Sequence, residues 1–200
     1  MKKHVLSALA IAATSLISTQ AFAQAKEGPW LVRARAVSLS SANTDSTGLG
    51  LSVNDIVLPE VDVSYFFTPN IAAELILTVP QQHDLKSNGS KIGTVTQLPP
   101  TLLLQYHFTN LNGFKPYVGA GINYTKFTNY DITVPGVSID SSSYGAALQV
   151  GVDVPLSGNM YFNFDVKKVL ISTNVNAGGN SLGTLRVDPL LVGVGLGWRF

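Results

Sequence analysis

The chain has 200 residues, of which 46% are hydrophobic and 12% charged, with a formal net charge of +1 and no cysteine. That length suits one domain, with a good-sized core or a closed barrel, and the charged fraction falls well below the roughly 25% of soluble domains, which argues against an ordinary soluble surface. A near-neutral balance without runs of like charge excludes nucleic acid as a partner, and the absence of cysteine excludes a disulfide framework, a thiolate metal centre and a Cys nucleophile.

Lys2 and Lys3, the apolar stretch from Val5 to Ile17 and the Ala21-Phe22-Ala23 tripeptide are the three parts of a secretory signal peptide. Residues 1–23 are therefore expected to be removed, leaving a mature chain that begins at Gln24. No apolar stretch, here or downstream, reaches the ~18 residues of a membrane-spanning helix. The hydrophobic residues that follow alternate instead, with the period of two of a β-strand. Trp30 to Val37 sets Trp30, Val32, Ala34 and Ala36 against Leu31, Arg33 and Arg35. Val57 to Phe67 sets Val61, Val63, Tyr65 and Phe67 against Glu60, Asp62, Ser64 and Phe66. After a Thr68-Pro69-Asn70 turn, Ile71 to Val79 sets Ala73, Leu75 and Leu77 against Glu74 and Ile76. Leu98 to Phe108, Pro116 to Lys126, Tyr144 to Val154, Met160 to Ile171 and Leu185 to Phe200 complete a set of eight segments.

The connectors alternate in length. Thr68 to Asn70, Thr109 to Lys115 and Pro155 to Asn159 are short and built from tight-turn residues, whereas Leu39 to Asn54, Gln81 to Gln97, Phe127 to Ser143 and Ser172 to Thr184 are long and polar. An even number of ~10-residue strands with this asymmetry describes an outer-membrane barrel. A soluble sandwich or lipocalin-like barrel would carry its charges outside. Here Arg33, Arg35, Glu60, Asp62, Glu74, Asp153, Asp165 and Arg199 all lie opposite the apolar series. Aromatic residues such as Trp30, Tyr65, Phe67, Tyr106, Phe108, Phe162 and Trp198 sit near segment ends on the apolar face, as an interfacial girdle requires. The expected fold is all-β: an eight-stranded antiparallel transmembrane β-barrel over residues 24–200, with short periplasmic turns and longer extracellular loops, held in the outer-membrane lipid of a Gram-negative bacterium.

An eight-stranded barrel is just wide enough for its inward side chains to fill it or to hold one small ligand, so a water-filled pore is not expected. Arg33 and Arg35 are placed to meet Glu60 and Asp62 across the first hairpin, a lumen charge network that reads as a salt-bridge plug before it reads as an ion filter. Ile76 and Leu103 toward mid-barrel, and Phe66, Tyr117 and Tyr161 near the short-turn end, either pack the lumen or line a ligand pocket. Pro80, Pro99 and Pro100 fall near the outer ends of the third and fourth strands, where missing N–H groups weaken pairing and make a lateral opening a candidate. No cofactor or metal is expected: His83 and His107, the histidines after the signal segment, belong to opposite ends of the barrel. His83, Asp84 and Ser87 lie close together in one long connector, as in some lipid-modifying outer-membrane enzymes, but without a G-x-S-x-G elbow.

Pro116-Tyr-Val-Gly-Ala-Gly-Ile-Asn-Tyr-Thr125, Leu98-Pro-Pro-Thr-Leu102, Gln149-Val-Gly-Val-Asp153 and the ending Trp198-Arg199-Phe200 resemble the outer membrane protein W (OmpW) family, from about Trp30 to the last residue. The resemblance implies an eight-stranded barrel whose narrow lumen carries small hydrophobic solutes. It also implies that Phe200 is the signal read by the barrel-assembly machinery. The alternatives are a structural or receptor barrel that acts through its long connectors, and an outer-membrane enzyme.

Overall fold

The computed structural model describes residues 27–200; the expected signal peptide, residues 1–23, and the start at Gln24 lie outside them. In chain order the strands are β1 (Trp30–Ser40), β2 (Thr44–Asp45), β3 (Leu51–Val53), β4 (Ile56–Phe66), β5 (Ile71–Thr78), β6 (Gln81–Ser87), β7 (Ser90–Leu98), β8 (Thr101–His107), β9 (Lys115–Ile132), β10 (Val137–Ile139), β11 (Ser142–Pro155), β12 (Met160–Val169), β13 (Ser172–Ala177), β14 (Asn180–Arg186) and β15 (Leu190–Arg199). Among the described residues, eight of these form a closed antiparallel barrel in the order β1-β4-β5-β8-β9-β11-β12-β15. The two ends of the barrel sequence are zipped together where Trp30 and Phe200 exchange backbone hydrogen bonds of 3.1 and 2.8 Å.

The register fixes the shape. Following paired residues round the wall from Trp30 through Tyr65, Ala73, Leu104, Ala120, Leu148, Lys168 and Leu190 returns to β1 at Ser40, ten residues further on. With eight strands, that stagger tilts each strand by roughly 40° to the barrel axis and leaves a lumen only side chains wide. Alternation assigns the faces: Leu31, Arg33, Arg35, Val37 and Leu39 are buried inside, while Val61, Leu75, Leu104, Ile122 and Val150 are exposed on the outside. Among the described residues, the outward positions of the barrel strands carry three charges, Lys126, Asp131 and Lys168, all toward the outer ends. The belt between is apolar, with Trp30, Tyr65 and Phe67 stacked edge-to-face at the periplasmic rim and Tyr124 against Tyr144 at the outer one.

The four long connectors differ from the expected loops, because three are largely strand and the first, Leu39 to Asn54, contributes the short β2 and β3. β6 and β7 are joined by Asn88-Gly89, whose φ values of 49° and 84° are those of a tight hairpin turn, and Gly178-Gly179 does the same for β13 and β14 with 56° and 84°. β7 pairs with the upper half of β9, extending the barrel wall outward, and β10, β13, β14 and β2 form a second sheet of four strands. The inward residues of this extension, among them Leu51, Val53, Leu85, Val95, Val175 and Leu185, join the apolar cluster of the upper lumen. Burial of these side chains is what orders segments whose other residues are polar. The last expected segment, Leu185 to Phe200, is likewise broken at Pro189, where Asp188 turns the chain with φ 34° and its Oδ1 accepts a hydrogen bond from Ile171 N at 2.9 Å.

Candidate functional site

The lumen is stacked in three layers. At the periplasmic end Leu31, Phe66, Ala72 and Tyr161 form a small apolar cluster, with His107 between Phe66 and Tyr117, tilted against the first at a centroid distance of 4.7 Å and stacked on the second at 4.9 Å. Arg199 closes this end, its guanidinium 3.5 Å above the Phe66 ring and its Nε donating to Gly28 O. Glu27 lies across the mouth and accepts hydrogen bonds from Lys115 and from the Tyr161 hydroxyl. Burial works against ionisation of Glu27, but the hydrogen bonds from Lys115 and Tyr161 outweigh it and hold its carboxyl below the ordinary 4.5.

Above this lies the charge network. Register sets Arg33 opposite Asp62 and Arg35 opposite Glu60 on the paired strands β1 and β4. Arg33 Nη1 reaches Asp62 Oδ1 at 3.0 Å, and its Nη2 reaches Asp153 Oδ2 at 2.7 Å across the lumen. Arg35 bonds Glu60 at 2.9 Å and Glu74 at 3.1 Å, and Lys167 bridges Glu60 and Asp165, both at 2.7 Å. Gln105, Gln149, Tyr117 and Asn163 fill the remaining positions, each hydrogen-bonded to a carboxylate or to one another. Every strand of the eight-stranded barrel but β15 supplies a polar side chain to the layer. β15 supplies space: a Cβ at Gly195 would stand 2.1 Å from Ala34 O and 2.8 Å from Arg35 Cγ, so only glycine lets the arginine stem pass. Gly151 does the same for Tyr117, whose ring would be 2.4 Å from a Cβ there.

The third layer is the apolar upper lumen, which holds Ile76 and Leu103 together with Val37, Leu39, Val169, Ile171 and Leu191. The five sequence candidates for ligand contact are thus divided by the charges: Ile76 and Leu103 lie above, Phe66 and Tyr161 below, and Tyr117 within the network, donating to Asp165 at 3.3 Å. A cavity of about 20 Å³ sits on the Lys167–Glu60 pair, between Leu39, Ile171 and Leu191 on one side and Gln81, Gln97 and Asn123 on the other.

Beside the cavity the barrel wall is interrupted. Pairing of β5 with β8 ends at Ile76 and Thr101, although β5 continues to Thr78, where it pairs with β4 alone. Pro99 and Pro100 occupy the next positions toward the outside, and Pro80 separates β5 from β6. The carbonyls of Pro99 and Pro100 accept from Asn123 Nδ2 on β9, each at 3.2 Å, and Pro100 O also accepts from Tyr124 N at 3.1 Å, so this stretch stays tied to β9 while its side toward β5 is unpaired. The exposed side chains of Leu77, Val79 and Leu98 flank this seam on the outer face.

His83, Asp84 and Ser87 do not converge. His83 Nδ1 faces Asn54 O at 3.0 Å and its Nε2 faces Gln97 Nε2 at 3.0 Å, Asp84 pairs with Lys91, and Ser87 donates to Leu49 O. The ring therefore carries its proton on Nδ1 and accepts from the glutamine. Burial holds its pKa below the ordinary 6.5.

Sequence reading of the charges did not single out the neutral polar residues of the lumen: Gln105, Gln149 and Asn163 in the network, and Gln81, Gln97, Thr101 and Asn123 above it. Within the barrel strands the same alternation marks them, since Thr101, Gln105, Asn123, Gln149 and Asn163 share a face with the inward charges.

A family model described as the OmpW family matches residues 26–200. The chain belongs to the OmpW family. It is 34% identical to the outer membrane protein W of Escherichia coli over the full length of both chains. It is 41% identical to an uncharacterized outer-membrane protein of Sinorhizobium fredii, with 94% of this chain and 90% of that one covered. Its fold matches the crystal structure of the outer membrane protein OprG from Pseudomonas aeruginosa with a TM-score of 0.75 and 27% identity, over 87% of this chain and 97% of that one. This OmpW-family chain is an integral barrel of the Gram-negative outer membrane, non-enzymatic, with lipid around its apolar belt.

Proposed function

We propose that this OmpW-family barrel carries small hydrophobic solutes from the cell surface into the outer membrane. The solute is received in the apolar lumen among Ile76 and Leu103 and leaves sideways between β5 and β8. The observation that carries this reading is the contrast between two routes. The axial route is filled by interlocked arginines, a lysine and carboxylates, all at most 4% exposed, and an apolar molecule gains nothing by crossing them. The lateral route passes an unpaired stretch of wall next to the cavity and opens onto lipid. A cavity of about 20 Å³ holds one water-sized molecule, so the conformation described is the closed one, and loading parts the lips at Thr78 and Pro99.

A receptor role for the extracellular part is less well supported. Leu51, Val53, Leu85 and Val95 turn inward to cover the upper lumen, which makes the extension a roof over the cavity more than a free display surface. Within the same reading, residues 1–23 act as the export signal and Phe200 as the mark recognised by the barrel-assembly machinery.

The test is uptake of a labelled hydrocarbon into cells with matched amounts of folded barrel. Leu103→Asp places a charge in the apolar layer, where it costs several kcal/mol unless paired, and is expected to reduce uptake severely. Asp62→Asn lies on the axial route alone and is expected to leave uptake nearly unchanged. Loss of uptake with Asp62→Asn and its survival with Leu103→Asp would replace the lateral route by a polar axial one.

A further inference from the structure

The upper cavity is not uniformly apolar, and its polarity is divided by strand. Thr78 on β5, Gln81 on β6, Gln97 on β7, Thr101 on β8 and Asn123 on β9 line one wall. Leu39 on β1, Val169 on β12 and Leu191 on β15 line the wall facing it, with Ile171 and Pro189 from the adjoining connections. In the closed order β1-β4-β5-β8-β9-β11-β12-β15, β5, β8 and β9 lie across the barrel from β12, β15 and β1. One side of the cavity is therefore mainly a polar ladder, interrupted by Ile76 and Pro99, the other is mainly aliphatic above the Lys167–Glu60 pair, and the ladder is the side that carries the seam.

The ladder is held in place by its own hydrogen bonds. Gln81 Nε2 donates to Thr78 Oγ1 at 3.1 Å, Gln97 Nε2 donates to Gln81 Oε1 at 3.2 Å and to His83, and Asn123 Nδ2 donates to Thr101 Oγ1 at 2.8 Å. Both glutamines are buried, at 3% and 2% exposure, so their orientation is imposed and not averaged by solvent. Among the described residues no donor reaches Gln97 Oε1, which leaves an oriented carbonyl acceptor on a residue of the cavity wall. An acceptor on the cavity wall gains a hydrogen bond from a ligand that brings a donor.

We propose that the site selects amphiphiles: molecules with a small aliphatic body and one uncharged hydrogen-bond donor at the end, of the class of primary alcohols and primary amides. The body lies on Leu39, Ile171 and Leu191, and the terminal O–H or N–H donates to Gln97 Oε1 beside the seam. This deepens the hydrophobic-solute reading and rests on it. A plain alkane fills the aliphatic wall but leaves the acceptor unpaired.

The experiment compares labelled octane with labelled 1-octanol in cells carrying the native barrel, Gln97→Leu or Gln81→Leu. Folded barrel is quantified first by heat-modifiable gel mobility, and uptake is expressed as the excess over cells without the barrel. The native barrel is expected to favour octanol. Gln97→Leu is expected to lower the octanol excess between about threefold and tenfold, the worth of one neutral hydrogen bond, while leaving the octane excess unchanged or raised. Gln81→Leu removes the partner that orients Gln97, tests the same ladder from its other end, and decides the matter if Gln97→Leu does not fold. Equal loss of both probes, or loss of neither, overturns the amphiphile proposal while the hydrophobic-solute reading stands. No excess for either probe with the native barrel overturns that reading as well.

Discussion

Arg33 shows how a charge comes to rest at the centre of a barrel in a membrane. Its guanidinium is fully buried, yet it meets Asp62, Asp153, Ser64 and the Tyr117 ring, so its desolvation is offset from several directions. Arg33→Ala removes the cation and strands the carboxylates around it. The expected loss of stability is about 3–5 kcal/mol, read from urea unfolding of the refolded barrel; a change below about 1 kcal/mol would show that the network is held together by other residues. His83 gives a pH dependence with a definite sign. Its pKa is depressed in the fold, so below the ordinary 6.5 the unfolded chain takes up a proton that the folded chain resists, and the stabilising contribution is lost as the pH falls. Asp55 and Asp84 nearby oppose the effect without reversing it. Amide protection factors in the β6–β7 hairpin should therefore decline as the pH falls below about 6.5 in the native chain, and should lose that step in His83→Gln. Retention of the step in the variant would assign it to another group.

At the scale of the elements, β15 combines two tasks, since its outward residues Val192, Val194 and Leu196 meet lipid while Gly193, Gly195 and Gly197 make way for the arginines of β1. Gly195→Val leaves the outward pattern intact but collides with Ala34 O and the Arg35 stem, and should lower the yield of heat-modifiable folded barrel severalfold; an undiminished yield would mean that the arginine stem relocates. On the proposed assembly role of Phe200, its deletion should lower the yield in cells by more than it lowers refolding in detergent, where only its two backbone bonds to Trp30 are lost. The barrel strands were legible in the sequence because each of their faces has one character, as in Tyr144 to Val154. The extension was not, because Gln81, His83 and Gln97 point inward among polar neighbours and erase the alternation. Asn88-Gly89 is the local signal that marks this hairpin, and it becomes informative once polar residues are allowed on the inward face.

For the whole molecule, one arrangement accounts for both the closed axis and the break in β5–β8 pairing. The stagger of the barrel brings Arg33 and Arg35 level with carboxylates from β4, β5, β11 and β12, which seals the lumen, while the prolines end β5–β8 pairing just above that seal. The charges of the network could be read from the alternation, but the position of the cavity could not. It depends on which strands face each other across the closed barrel, and that follows from the stagger. The lateral route makes one direct demand, that the seam between Thr78 and Pro99 must part. The natural chain has no cysteine, so Thr78→Cys with Pro99→Cys introduces the sole thiol pair, at positions that continue the Ile76–Thr101 register. The decisive measurement is uptake of labelled octane by cells carrying this double variant, oxidised and then reduced, with cross-linking verified on the same sample. Uptake is predicted to fall to that of cells without the barrel when the lips are joined and to return on reduction; full uptake through the cross-linked barrel would contradict lateral release.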